Sequence, residues 1–106
     1  MIVTAWNNGR TGYGVKVQII DRNRFFKKEW KSIILTFENS SVQARANVAK
    51  RSFWTPECRE LIKKEIGDWL RINGLDSWLE EHPPRLWLEP LGNRCFLLRK
   101  LPPNDG

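Results

Sequence analysis

The residues able to do chemistry are few, and their spacing excludes most of it. The one histidine, His82, stands directly before a Pro-Pro pair, and Cys58 and Cys95 lie far apart with no C-x-x-C spacing. A zinc site would need more ligands, and a Ser-His-acid or Cys-His constellation has no signature to support it. Cys58 falls at the start of an expected helix, where the helix dipole lowers a thiol pKa. It also falls on the apolar stripe of that helix, and burial makes a thiol inert. Both cysteines are therefore expected to be reduced, buried thiols of an intracellular protein.

A second candidate runs through "IIDRNRFFKKEWKSIIL". Asp21 closes an apolar run, and Glu29-Trp30-Lys31 matches the (D/E)-x-K element of the restriction-nuclease-like metal site. Two carboxylates and a lysine in that pattern can hold Mg²⁺ and orient a water against a phosphodiester. The element belongs within an apolar strand. Here Lys27 and Lys28 precede Glu29 and the apolar run follows, so a metal-dependent nuclease ranks last among the readings.

Gly9, Gly12 and Gly14 raise a third possibility, a phosphate-cradling loop. Their order is G-x-x-G-x-G and a strand follows, whereas dinucleotide binding uses G-x-G-x-x-G followed by a helix. The lysine-bearing phosphate loop is absent as well. The expectation is a hairpin loop needing positive φ at Asn8-Gly9 and Gly12, with Arg10 exposed at its tip and able to touch a phosphate. No motif calls for a cofactor or a metal.

Charge is more informative. The chain has 106 residues and a net charge of +6. Residues 1–54 hold ten Lys or Arg against three acids, and residues 55–106 hold eight against nine. All the excess positive charge sits in the first half, the pattern of a surface that meets a polyanion.

These residues must be positioned by one domain, expected over residues 1–101, with 102–106 as a loose tail. Residues 2–6, 15–19, 32–38 and 42–48 alternate or are β-branched, and they read as strands. The last two flank "ENSS" and read as a hairpin. "DRNRFFKKEW" (21–30) reads as a short helical turn capped by Asp21, and "DSWLEEH" (76–82) as another short helix. Thr55 as N-cap and Pro56 at the first helical position predict a long helix over 56–73. Cys58, Leu61, Ile62, Ile66, Trp69 and Leu70 form its apolar stripe. "RLWLEP" and "RCFLLRK" flank a Gly92-Asn93 turn as a last hairpin. Its expected faces are Leu86, Leu88 and Leu97 on one side, and Trp87, Phe96 and Leu98 on the other.

The fold expected is thus α+β: an antiparallel sheet of about five or six short strands built from hairpins, with one long amphipathic helix packed on one face. On that sheet Lys16, Gln18, Gln43, Arg45 and Asn47 share the solvent side. With Arg10, Lys50 and Arg51 they form the expected nucleic-acid-binding set, for DNA or RNA, without catalysis. The alternative is a protein-interaction module or homodimer using tryptophans beyond the needs of the core, with Trp30, Trp78 and Trp87 as candidates. The amino terminus has no basic stretch followed by an apolar run, and no apolar stretch is long enough to span a bilayer. A cytoplasmic protein with no membrane partner is expected.

Overall fold

Alternating apolar and polar residues place seven segments in one sheet, which the computed structural model describes for residues 1–9 and 12–101. The strands are β1 (Ile2–Asn7), β2 (Tyr13–Val17), β3 (Ser32–Phe37), β4 (Gln43–Asn47), β5 (Glu60–Ile62), β6 (Arg85–Gly92) and β7 (Cys95–Lys100). Their order is β4-β3-β7-β6-β1-β2-β5. Every neighbouring pair is antiparallel except β3 with β7, which run parallel. The edge strands β4 and β5 return to each other's side without hydrogen bonds between them, so the sheet nearly closes into a barrel. Inward positions are apolar and almost wholly buried: Val3, Val15, Val17, Ile33, Leu35, Ala46, Leu61, Leu86, Leu88, Phe96 and Leu98.

This corrects the expected architecture. There is no long helix lying on a sheet. The segment 56–73 divides: Arg59 takes φ +70°, Glu60–Ile62 pairs with β2, and the helix α2 covers only Lys64–Ile72. The three-and-four spacing of the stripe fits both arrangements. Leu61 is buried from the strand, and Ile66, Trp69 and Leu70 are buried from the helix. Cys58 is half-buried in the turn before β5, so it neither starts a helix nor sits in the core. Cys95 is half-buried too, and both thiols are free. Residues 76–82 form turns and no helix.

The two mouths of the barrel are plugged differently. At one mouth α2 packs Trp69 against Phe37, with ring centroids 6.2 Å apart, and the Trp69 indole donates to the Glu38 carbonyl at 3.0 Å. At the other, β2 leads into helix α1 (Ile19–Phe25) and a loop to β3, while β4 leads into a 3-10 turn (Arg51–Trp54) on the way to β5. Phe26 joins these caps. It stacks on Phe96 at 4.7 Å and meets Phe53 edge-on at 5.2 Å.

Arg22 locks α1 to the 3-10 turn. Its side chain is buried, and one guanidinium nitrogen donates to the carbonyls of Phe53 and Thr55 at 3.1 and 2.9 Å. The other two nitrogens donate to the Asn23 side chain, and the group lies 5.2 Å from the Trp54 ring centre. Burial, and then the positive charge of Arg59, pull its pKa below the ordinary arginine value. Replacing Arg22 by methionine keeps the apolar stem but orphans two carbonyls. Arg22→Met is expected to lower stability by about 2 kcal/mol, read as a shift of the urea midpoint at unchanged slope.

Candidate nucleic-acid interface

Barrel closure decides which of the expected binding residues meet. Lys16 points outward from β2, with its ammonium 3.8 Å from the largely buried Glu60 carboxylate. Gln18 is not on the strand. It is the exposed residue that precedes α1, because β2 stops at Val17 where the barrel ends. Gln43, Arg45 and Asn47 are the exposed positions of β4. β4 and β2 stand far apart in strand order, and the near-closure at β5 brings their outer sides around to one another. Lys50 and Arg51 follow β4 directly, at the mouth capped by α1. Arg10 lies outside the described residues, as does the expected tail at 102–106.

The set therefore splits. Asn47, Lys50 and Arg51 gather at the capped mouth, with Lys16 and Gln18 across the seam. Arg45 sits midway along β4, pairing in register with Ile34 and donating to the Ser32 hydroxyl at 3.2 Å. Gln43 is at the far end of its strand. The glycine loop is also at the far mouth, since it joins the top of β1 to the start of β2 beside α2. Asn47 spends its side-chain oxygen on the Ala49 amide at 2.8 Å, which shapes the turn toward Lys50.

The capped mouth also collects cations outside the expected set. Arg24, Lys27, Lys28 and Lys31 lie on α1 and the loop after it, and the Val48 amide donates to the Lys31 carbonyl at 3.1 Å, which ties that loop to the end of β4. Arg59 is half-buried; its Nε donates to the Val17 carbonyl at 2.8 Å and leaves the rest of the guanidinium toward a small depression. That depression, about 90 Å³, is also lined by Thr4, Lys16 and Gln18. Sequence reading passes over Arg59 because a helix there would put it among ordinary solvent-facing charges. Only the left-handed turn that ends at β5 reveals its position.

Ion pairing differs in degree between the two mouths. Nine of the ten cations in residues 1–54 are described, and Lys16 alone among them has a carboxylate within 4.0 Å. At the other mouth lies a depression of about 440 Å³, between the glycine loop and α2. Two of its three cations are neutralised: Lys64 pairs with Asp68 at 3.2 Å, and Arg71 with Asp68 and Asp76 at 3.3 and 3.9 Å, while Lys63 has no carboxylate partner among the described residues. Burial pulls the Lys50 pKa below the ordinary lysine value, against the opposing charges of Glu60 and then Cys58. An arriving phosphate would favour the charged form of such a lysine.

Comparison with protein-family models, curated proteins and solved structures finds no match. What the capped mouth does must follow from its own geometry.

The remaining candidates fall on separate elements. Asp21 is in the first turn of α1, while Glu29 is exposed in a turn and not on a strand, so the backbone that presents a nuclease metal site is missing. Among the described residues no three His, Cys, Asp or Glu side chains converge. Trp30, Trp78 and Trp87 are each half-buried and stand on different elements: the α1–β3 loop, the turns before β6, and the outer side of β6. Trp87 is 6.0 Å from the Arg99 guanidinium. No described helix is long and apolar enough to cross a membrane.

Proposed function

We propose that this protein binds nucleic acid in the cytoplasm, without catalysis, through the barrel mouth capped by α1 and the 3-10 turn. The surface continues over the seam between β4 and β5 toward β2. One observation carries the reading: among the described residues, Arg24, Lys27, Lys28, Lys31, Lys50 and Arg51 collect around this mouth, and none of them is neutralised by a carboxylate. Exposed and unpaired lysines and arginines release counterions when they meet phosphates, which favours association with a polyanion. Gln18 and Asn47 border the same surface and add amide groups able to reach base edges or sugars.

Titration of labelled DNA and RNA at low salt tests this directly, and a flat titration with every probe would sink the proposal. Replacing Lys50 and Arg51 together by alanine is expected to weaken binding roughly tenfold or more, to a similar degree for all sequences. Arg51 is exposed and Lys50 half-buried, and neither has an ion pair among the described residues, so the melting temperature should move little. Unchanged affinity of the double variant would remove this mouth from the interface.

A further inference from the structure

We infer that a groove beside the capped mouth takes an unstacked base, so that the nucleic acid bound is single-stranded. This rests on the nucleic-acid reading above and sharpens it. The groove has a volume of about 370 Å³, toward the lower end of the range for ligand clefts, about 300–1,000 Å³. One wall is aromatic: Phe25, the last residue of α1, and Trp30 in the loop that follows. The other wall is the β6–β7 turn with Arg94.

Both walls are fixed before any ligand arrives. The Trp30 amide donates to the Lys27 carbonyl at 3.1 Å, and its ring meets Phe26 edge-on at 6.4 Å. Asn93 and Arg94 both hold positive φ, as a two-residue hairpin turn requires, and the Arg94 carbonyl accepts from the Ile34 amide at 2.9 Å. Phe25 and Trp30 are only half-buried although large and apolar, so ring surface is left for a partner.

Charge selects that partner. Arg94 lines the groove, Arg24 lies 5.4 Å from the Phe25 ring centre, and Lys27 and Lys28 stand between the two aromatics in the chain. None of the four has a carboxylate partner among the described residues. Aromatic rings flanked by unpaired cations suit a flat, apolar group attached to phosphate, which is what a nucleotide in a flexible strand offers. A base inside a duplex is stacked on both faces and cannot enter.

The test compares a short oligothymidylate, a duplex of equal length, and inorganic polyphosphate, a polyanion with no bases. The single strand is expected to bind about tenfold tighter than either of the others. Phe25→Leu and Trp30→Leu should each weaken the single strand about 5- to 150-fold, the range for one lost stacking partner, and leave the duplex unchanged. Trp30→Phe keeps a ring and should retain most of the affinity. Circular dichroism and melting of each variant show whether it is folded. Should Trp30→Leu fail to fold, the wild-type preference and Phe25→Leu still decide. Equal binding of all three polyanions, or a folded Phe25→Leu that binds the single strand normally, would overturn this inference and leave the electrostatic reading standing. Absence of binding to any probe would overturn both. Concentration-dependent sedimentation abolished by Phe25→Leu would assign the groove to a second copy of the chain instead.

Discussion

Gly14→Ala is expected to destabilise the protein by about 3 kcal/mol, lowering the melting temperature by about 15 °C. Gly14 lies on β2 opposite Ile62 of β5. A Cβ at this position would meet the Leu61 carbonyl oxygen at 2.3 Å and the Leu61 carbonyl carbon at 3.1 Å. These are backbone atoms of a paired strand, so they can move only by opening the β2–β5 ladder. Opening it would shift Leu61, which is fully buried, and loosen the seam that nearly closes the barrel. Gly12 provides the contrast. An alanine there would meet the far end of the Asn8 side chain at 2.7 Å, which can swing away by giving up side-chain interactions, among them the hydrogen bond it accepts from the Gly12 amide. Gly12→Ala should therefore cost less than Gly14→Ala. Thermal melts of the two variants check the pair, and equal, small shifts would show that β5 does not need this close approach.

The third glycine of "WNNGRTGYG" thus serves strand pairing, and Gly9, with φ +83°, serves the turn. Neither role can be read from glycine spacing, because what Gly14 admits is a strand almost fifty residues later in the chain. The same long-range pairing explains why the helix over 56–73 was legible only in part. Thr55, Pro56 and the three-and-four spacing are local helix signals, and they are consistent with a helix wherever no other strand needs partners. Here β2 would otherwise be an unpaired edge, and Glu60–Ile62 supplies its ladder. The break falls at Arg59, whose positive φ no side chain announces.

Strands with clean alternation were legible. β3 and β4 pair in the antiparallel register that their alternation and the "ENSS" turn require. The last hairpin shows how little separates a right from a wrong face. The turn residues are Asn93 and Arg94, one position later than a Gly92-Asn93 turn, and Gly92 pairs with Cys95. That shift turns Phe96 and Leu98 inward beside Leu86 and Leu88, and leaves Trp87 and Leu97 outside. The charge asymmetry of the sequence becomes spatial through connectivity: both crossings that start from the basic half, β2 to β3 and β4 to β5, pass over the same mouth. The groove at Phe25 and Trp30 was hidden because its far wall, at Arg94, comes from the other end of the chain.

Raising salt from 50 to 200 mM is expected to weaken nucleic-acid binding by about 10²- to 10³-fold. Lys27, Lys28, Lys31, Arg45, Lys50 and Arg51 surround one mouth or the strand leading to it, and none has a carboxylate within 4.0 Å among the described residues. If about five of them meet phosphates at once, log affinity should fall against log salt with a slope of about −3.5 on single strands and about −4.5 on duplex. Each phosphate contact removed lowers that slope by about 0.7 to 0.9, so the Lys50, Arg51 double alanine variant should lose about 1.4 to 1.8. Lys64→Ala is the control. Lys64 is at the opposite mouth and already paired with Asp68, so its replacement releases no counterion on binding and should leave the slope where it was. A slope lost equally in both variants would mean that cations over the whole surface contribute alike. A slope lost only with Lys50 and Arg51 would mean that the chain concentrates its charge by carrying both basic crossings over one end of the barrel.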